Sequence, residues 1–255
     1  MVDKMGLELN IIYTVWLREL LEHVREKERF FSSLAMPLFW FIIFGTGLAS
    51  SIQFKGSPDI NFSDFLAPGI VAMPLLFTSA FSGISLFWDR EHGFLKEMLV
   101  APVSRLSIVL GKALGGATIA TLQAILVLVL FILLGIKLTF FIILLVPAML
   151  LMSLGFVGLS IIFASLLKTM EGFNLLLNLG LAPLFFLSGA FFPIEILPTW
   201  LGVLSRLDPM TYGVELLRYI STGTSHIPFY ISLTVVLIFS FTTIIIGSYL
   251  FTKKQ

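Results

Sequence analysis

Leu106 to Gly135 reads LSIVLGKALGGATIATLQAILVLVLFILLG, and Lys112, close to one end, is its one charge. A bilayer core about 30 Å thick needs about 20 apolar residues of helix, and this run exceeds that length. Working outward, comparable runs occupy roughly 30–53, 65–88, 139–167 and 228–251. A sixth, roughly 172–192, contains Asn174 and Asn178 but no charge. The expected fold is therefore an all-α integral membrane protein of six spanning helices, forming one permease-sized domain over 30–255.

Composition agrees. Of 255 residues, 58% are hydrophobic and 12% charged, and the mean hydropathy is +1.02. Soluble domains carry about 25% charge and about 45–50% apolar residues, so the solvent for this chain is lipid. A net charge of +1 without a basic, aromatic-interleaved patch excludes nucleic acid as a partner. The absence of cysteine excludes disulfides, thiolate metal sites and cysteine nucleophiles. The first thirty residues are mixed in charge and the first apolar run begins near Phe30, so no cleaved leader is expected.

Between the last two runs, 193–227 is apolar but broken by Pro193, Pro198, Gly202, Pro209, Gly213 and Gly223. Two short helices dipping into the outer membrane surface suit it better than one span. Asp208 before Pro209 has the form of an N-cap followed by proline at the first helical position. Orientation follows from lysine and arginine. With six spans, twelve of these residues fall on the side of the termini and four, Lys55, Lys137, Arg206 and Arg218, on the other. Both termini are thus expected in the cytoplasm of a multi-pass protein of the plasma (inner) membrane.

The segment 1–29 carries a stripe, Leu9, Ile12, Trp16, Leu20 and Val24, with Arg18, Glu22 and Arg25 on the other side. It reads as a cytoplasmic amphipathic helix, lying in the membrane interface or packed on a partner. Gly111 and Gly115 form a G-x-x-x-G, and Gly155, Gly158 and Ser160 line another span; both allow close helix approach, within the chain or in a dimer.

Catalytic constellations are missing. A mid-membrane charge costs roughly 2.5–3.5 kcal/mol and usually marks an ion path; no span carries one at its centre, which argues against a proton- or sodium-coupled carrier. His23, His92 and His226 are isolated, with no metal-ligand spacing. The chain has neither a G-x-x-x-x-G-K-[ST] phosphate loop nor a G-x-S-x-G serine. No catalytic, cofactor-binding or metal-binding residue is expected.

The informative loop is Trp88 to Arg105, WDREHGFLKEMLVAPVSR. Phe94, Leu95, Met98 and Leu99 form an apolar edge on a charged helical segment that Pro102 ends. Such an edge docks a protein or lies on lipid. Asp89-Arg90-Glu91, Gly93, Leu95-Lys96-Glu97-Met98-Leu99, Ala101-Pro102-Val103-Ser104-Arg105 and Gly111-Lys112 together resemble the signature loop of ABC type-2 transporter permeases, in the branch of daunorubicin-resistance and nodulation exporters. The family commonly has Gly-Thr-Leu where this chain has Gly93-Phe94-Leu95. A second stretch, Leu181, Leu184, Leu187, Ser188, Ala190, Leu197-Pro198, Pro209-Met210, Tyr212 and Arg218, is similar to the family's C-terminal signature.

The resemblance implies two copies of a membrane subunit working with two copies of a separate ABC ATPase that binds ATP and magnesium. A homodimer is the expected form, with a heterodimer open. Residues 89–104 would be the coupling helix, with Asp89, Arg90, Glu91, Gly93, Leu95, Met98, Leu99, Pro102 and Arg105 as coupling residues. Residues 193–222 would be re-entrant helices closing the outer end, with Pro193, Pro198, Asp208, Pro209, Tyr212 and Arg218 as the gate. The first and fifth spans would line the path, bringing Phe39, Phe41, Phe44, Asn174, Asn178, Phe185 and Phe186 near an amphipathic, lipid-linked or drug-like substrate. The alternatives from other classes are an ATP-independent channel or secondary carrier, and a membrane anchor for another enzyme.

Overall fold

Hydrocarbon offers backbone N–H and C=O groups no partners but one another, so apolar runs of this length form helices. The computed structural model of the chain describes residues 4–47, 62–91, 104–136 and 142–254. Among the described residues there are ten α-helices and no strand: α1 (Lys4–Arg25), α2 (Lys27–Gly47), α3 (Phe62–Phe81), α4 (Ile84–Glu91), α5 (Arg105–Leu133), α6 (Ile142–Leu166), α7 (Met170–Leu187), α8 (Thr199–Leu207), α9 (Pro209–Thr222) and α10 (Phe229–Lys254). Five stretches are long and apolar enough to cross a membrane: Phe62–Asp89, Arg105–Leu133, Ile143–Leu166, Met170–Leu187 and Phe229–Lys253. The first expected run is represented by the shorter apolar helix Ser33–Gly47, and its remainder, 48–53, lies outside the described residues.

Three expected boundaries move. The helix expected over 1–29 stops at Arg25, and α2 starts at Lys27. The run 172–192 is helical only to Leu187. There the Ser188 hydroxyl donates to the Phe185 carbonyl at 2.6 Å, and Gly189 turns left-handed at φ 75°, which glycine adopts at little cost. The run 65–88 breaks at Ser82-Gly83 into α3 and α4. The Gly83 N–H donates to Ser160 Oγ at 2.8 Å, and that hydroxyl donates to the Ala80 carbonyl at 2.6 Å. A Cβ on Gly83 would sit 2.1 Å from Ser160 Oγ, so only glycine lets α6 approach the break.

Helices α3, α5 and α6 form the centre. α10 lies along the small-residue stripe of α6, where Ser240 Oγ donates to Leu151 O at 2.7 Å and Thr243 Oγ1 to Gly155 O at 2.9 Å. Interhelical hydrogen bonds in membranes average about 0.6 kcal/mol, so close backbone packing carries most of this contact. Only 22% of the Met170–Leu187 and Phe229–Lys253 spans is buried, against 56–67% for the other three, which makes α7 and α10 peripheral. After α7 come a 3₁₀ turn, Ile194–Ile196, then α8 and α9. The expected cap is present: the Asp208 carboxylate accepts from Met210 N at 2.8 Å, with Pro209 opening α9.

Candidate functional site

The α1 helix and α5 meet in register. Glu8 accepts from Ser104 N and Oγ at 3.1 and 2.7 Å, and from the Ser107 hydroxyl. These hydroxyls, Ser107 first and Ser104 next, hold the Glu8 carboxyl below its usual pKa. Further along, Trp16 Nε1 donates to Thr118 Oγ1 at 3.1 Å, and His23 Nε2 lies 2.9 Å from Gln123 Nε2. The pairs advance together, so α1 runs alongside α5 rather than across it. Gly111 and Gly115 make the approach possible, since a Cβ on either would lie 2.7 Å from Val15 or Glu19 Cβ. This G-x-x-x-G therefore packs within the chain.

The face α1 turns inward mixes apolar and charged residues. Val15 and Glu19 are buried, whereas Leu9 and Val24 of the apolar stripe are 61% and 69% exposed. Inside, Lys112 Nζ lies 2.6 Å from both Glu19 Oε1 and Asp89 Oδ2 and donates to Ser85 Oγ at 3.1 Å. Arg18 Nη2 lies 2.8 Å from Asp89 Oδ1, and Arg18 Nε lies 2.7 Å from Glu22. One buried ion cluster thus joins α1, α4 and α5. Losing one member of such a cluster costs about 3–5 kcal/mol, because an uncompensated charge stays buried.

Asp89, expected among the coupling residues, is 3% exposed and belongs to this cluster. Arg90 and Glu91 close α4, and their side chains are outside the described residues, as are Gly93, Leu95, Met98, Leu99 and Pro102. Arg105 opens α5 and its Nη1 donates to the Thr252 carbonyl of α10 at 2.7 Å.

At the other end of the Phe62–Asp89 span, Arg218 is 2% exposed. It pairs with Glu215, donates through Nη2 to the Gly189 carbonyl at 2.8 Å and stacks 3.9 Å above the Phe65 ring. Glu215 Oε2 accepts from His226 N at 2.6 Å and Ile227 N at 3.3 Å. Tyr212 donates its hydroxyl to Arg206 O at 2.8 Å. Burial pushes the Asp208 carboxyl up to about 7. Pro193 precedes the 3₁₀ turn and Pro198 precedes α8, each serving as the boundary residue of its element.

A charged cavity adjoins the ion cluster, and an apolar one shares part of its wall. The first, of about 470 Å³, lies between α1, α3, α4 and α5, lined by Arg18, Glu22, His23, Glu26, Ser82 and Asp89 among others. The second, about 680 Å³, lies between α2, α3 and α7, against Met36, Trp40, Met73, Phe77, Phe185 and Phe191. They share His23, Thr78, Phe81 and Ile84. Of the expected substrate-path residues, Phe185 and Phe186 line the second cavity. Phe44 stands behind it, stacked on Trp40 and against Phe191. Phe41 is turned away onto Phe131, 4.1 Å between rings. Phe39, Asn174 and Asn178 do not line either cavity, and Phe39 and Asn178 are exposed. The polar residues at the cavity junction, His23 and Gln123, drew no functional reading from the sequence. Their signal was there: Gln123 is a lone amide inside the most apolar run.

The long apolar helices of this bundle define a class, the multi-pass helical membrane proteins. The ABC-2 type transporter family matches residues 11–222, and the chain belongs to that family. The chain is 35% identical over 199 residues to the ycf38 protein of Cyanophora paradoxa, named as a transport permease, covering 76% of this chain and 68% of that one. It is 29% identical over 192 residues to nodulation protein J of Rhizobium leguminosarum bv. trifolii, covering 74% and 72%. It is 27% identical over 241 residues to the inner membrane transport permease YadH of Escherichia coli strain K12, covering 91% and 86%.

Proposed function

We propose that this permease is the membrane subunit of an exporter driven by a separate ABC ATPase, and that it moves an amphipathic substrate out of the cytoplasm. Two copies work with two ATPase copies, which bind ATP and magnesium; this chain supplies no catalytic group. The first span starts in α2, giving six spans with both termini in the cytoplasm. Residues 1–29 form the helix at the cytoplasmic face, and 30–255 the permease domain. The exposed apolar stripe of α1, lying in lipid, is consistent with that arrangement. Residues 193–222 form the re-entrant gate, built on Pro193, Pro198, Asp208, Pro209, Tyr212 and Arg218.

ATP binding draws the ATPases together and displaces the coupling segment 89–104. Met98 and Leu99 fill the ATPase groove, Arg90 and Glu91 fix the segment by charged hydrogen bonds, Gly93 permits the bend, and Leu95, Pro102 and Arg105 complete it. The observation that carries this reading is the position of Asp89: the first residue of the segment, it is paired with Arg18 of α1 and Lys112 of α5, so a displacement of the segment has a charged route into the bundle. An amphipathic cargo is supported by the neighbouring apolar and charged cavities, which share His23, Thr78, Phe81 and Ile84 in their walls, with Phe185 lining the apolar one. Phe39, Phe44, Asn174 and Asn178 belong to the path only if a second copy or a helix rotation completes it.

The test replaces Met98 and Leu99 with aspartate. The ATPase should no longer co-purify with the permease, and ATP-dependent transport in inverted vesicles should cease. Undiminished association and transport would remove the coupling assignment.

A further inference from the structure

Gln123 is the lone side-chain amide in the run Leu106 to Gly135, and it is 1% exposed. An amide buried among apolar helices needs hydrogen-bond partners, and Gln123 finds them on two other helices. Its Nε2 lies 2.9 Å from His23 Nε2 of α1, and its Oε1 accepts from the Thr78 hydroxyl of α3. An amide carries two N–H donors and one carbonyl acceptor. Turned either way, it commits one N–H and its carbonyl to His23 and Thr78. Among the described residues these are the bonds it makes, so its second N–H is still to be matched.

His23, Thr78 and Gln123 all belong to the wall of the apolar cavity. Resting on the exporter reading, we infer that this cavity takes an uncharged, largely apolar compound bearing a carbonyl oxygen, and that Gln123 is the residue that recognises the oxygen. The volume of about 680 Å³ falls within the roughly 300–1,000 Å³ range of ligand pockets. Among the described residues the wall contains no Asp, Glu, Lys or Arg, so a carboxylate, phosphate or ammonium inside it would lack a countercharge. Trp40, Phe77, Phe185, Phe186 and Phe191 supply apolar surface for the body of the compound. A lipid tail could cover those rings, but it would leave the amide N–H without an acceptor, whereas a ketone, ester or amide carbonyl supplies one. His23 and Thr78, holding the amide from two sides, are positioning residues.

The test photolyses benzophenone with the permease in lipid nanodiscs and maps the adducts by peptide mass spectrometry. The excited ketone reacts readily with methionine, and Met73 lines the cavity while only 8% exposed. The competitors are dicyclohexyl ketone and dicyclohexylmethane, alike in shape, of which one has a carbonyl; their concentrations are referred to the lipid phase. The ketone should protect Met73 at about fivefold lower concentration than the hydrocarbon, the factor expected when a buried donor regains an acceptor. Gln123→Met should bring that ratio to about one, and Thr78→Val, which releases one side of the amide, should lower it part way. A ratio near one in the wild type, a ratio unchanged in Gln123→Met, or adducts confined to exposed positions such as Phe241 of α10 would overturn the inference. The measurement needs no ATPase. Ketone preference without ATP-driven transport would therefore count against the exporter reading alone; transport without ketone preference would count against the inference alone.

Discussion

The bundle has a buried charged knot at each end of the Phe62–Asp89 span, and the two are built on different plans. On the α1 side, the contacts of Lys112 and Asp89 with Glu19 and Arg18 all cross between helices that are far apart in sequence. Asp89 holds two cations and Lys112 holds two carboxylates. On the α9 side, Arg218 and Glu215 sit one turn apart on a single helix, and their further hydrogen bonds go to backbone: Gly189 O, His226 N and Ile227 N. A shared, interhelical knot can exchange partners as its helices shift and stay neutral throughout. A pair that spends itself on loop backbone cannot; it fastens the turn after α7 and the segment before α10 to α9.

The largest expected effect tests the shared knot. Lys112→Met leaves two buried carboxylates with one cation between them and should destabilise the permease by about 3–5 kcal/mol, read from thermal unfolding in nanodiscs. Adding Glu19→Gln should restore a good part, because Asp89 keeps Arg18. No recovery in the double variant would mean that the pairs do not share charge, and the contrast would collapse.

On the α9 side, Arg218→Lys should cost about 1–3 kcal/mol, since one ammonium cannot pair with Glu215, reach the Gly189 carbonyl and cover Phe65 together. Faster proteolysis near 189 and 226 should accompany the loss. A lysine variant as stable as wild type would show that the backbone bonds are dispensable. Close to the α1-side knot, Gly83→Ala drives a methyl into Ser160 Oγ and should also cost about 1–3 kcal/mol. Ser160→Gly in the same chain should return part of it.

A separate effect is a pH dependence at Asp208. Burial raises its pKa from 3.8 to about 7, so its stabilising contribution is complete below the unfolded value and is lost as pH rises through 7. Asparagine also caps helices and has no charge to desolvate. Asp208→Asn should therefore melt with wild type at pH 4 and above it at pH 8; parallel melting curves across that range would refute the assignment.

Much of this was legible in the amino-acid order. Apolar runs gave the long helices because lipid leaves the backbone no alternative, and Asp208-Pro209 announced the start of α9 through local chemistry alone. The break at Gly83 was not legible, because its cause, Ser160, lies 77 residues away. Only part of the facing of α1 was legible. The stripe allowed its Leu9 and Val24 to lie in lipid, but that Val15 would pack on Gly111 and Glu19 be drawn in by Lys112 depends on residues far along the chain. Arg218 was visible as a signature residue, whereas Glu215 three residues earlier went unread because a charge on a short helix ordinarily faces water.

The pairing of Glu19 with Lys112 has a consequence for how the chain is made. Glu19 leaves the ribosome 93 residues before Lys112, an interval of roughly 5–20 s at about 5–20 residues per second. During that wait its carboxylate has only water or lipid head groups for company. Helix α1, made well before α5, must therefore be among the last to settle, held at the surface until α5 arrives with the matching cation.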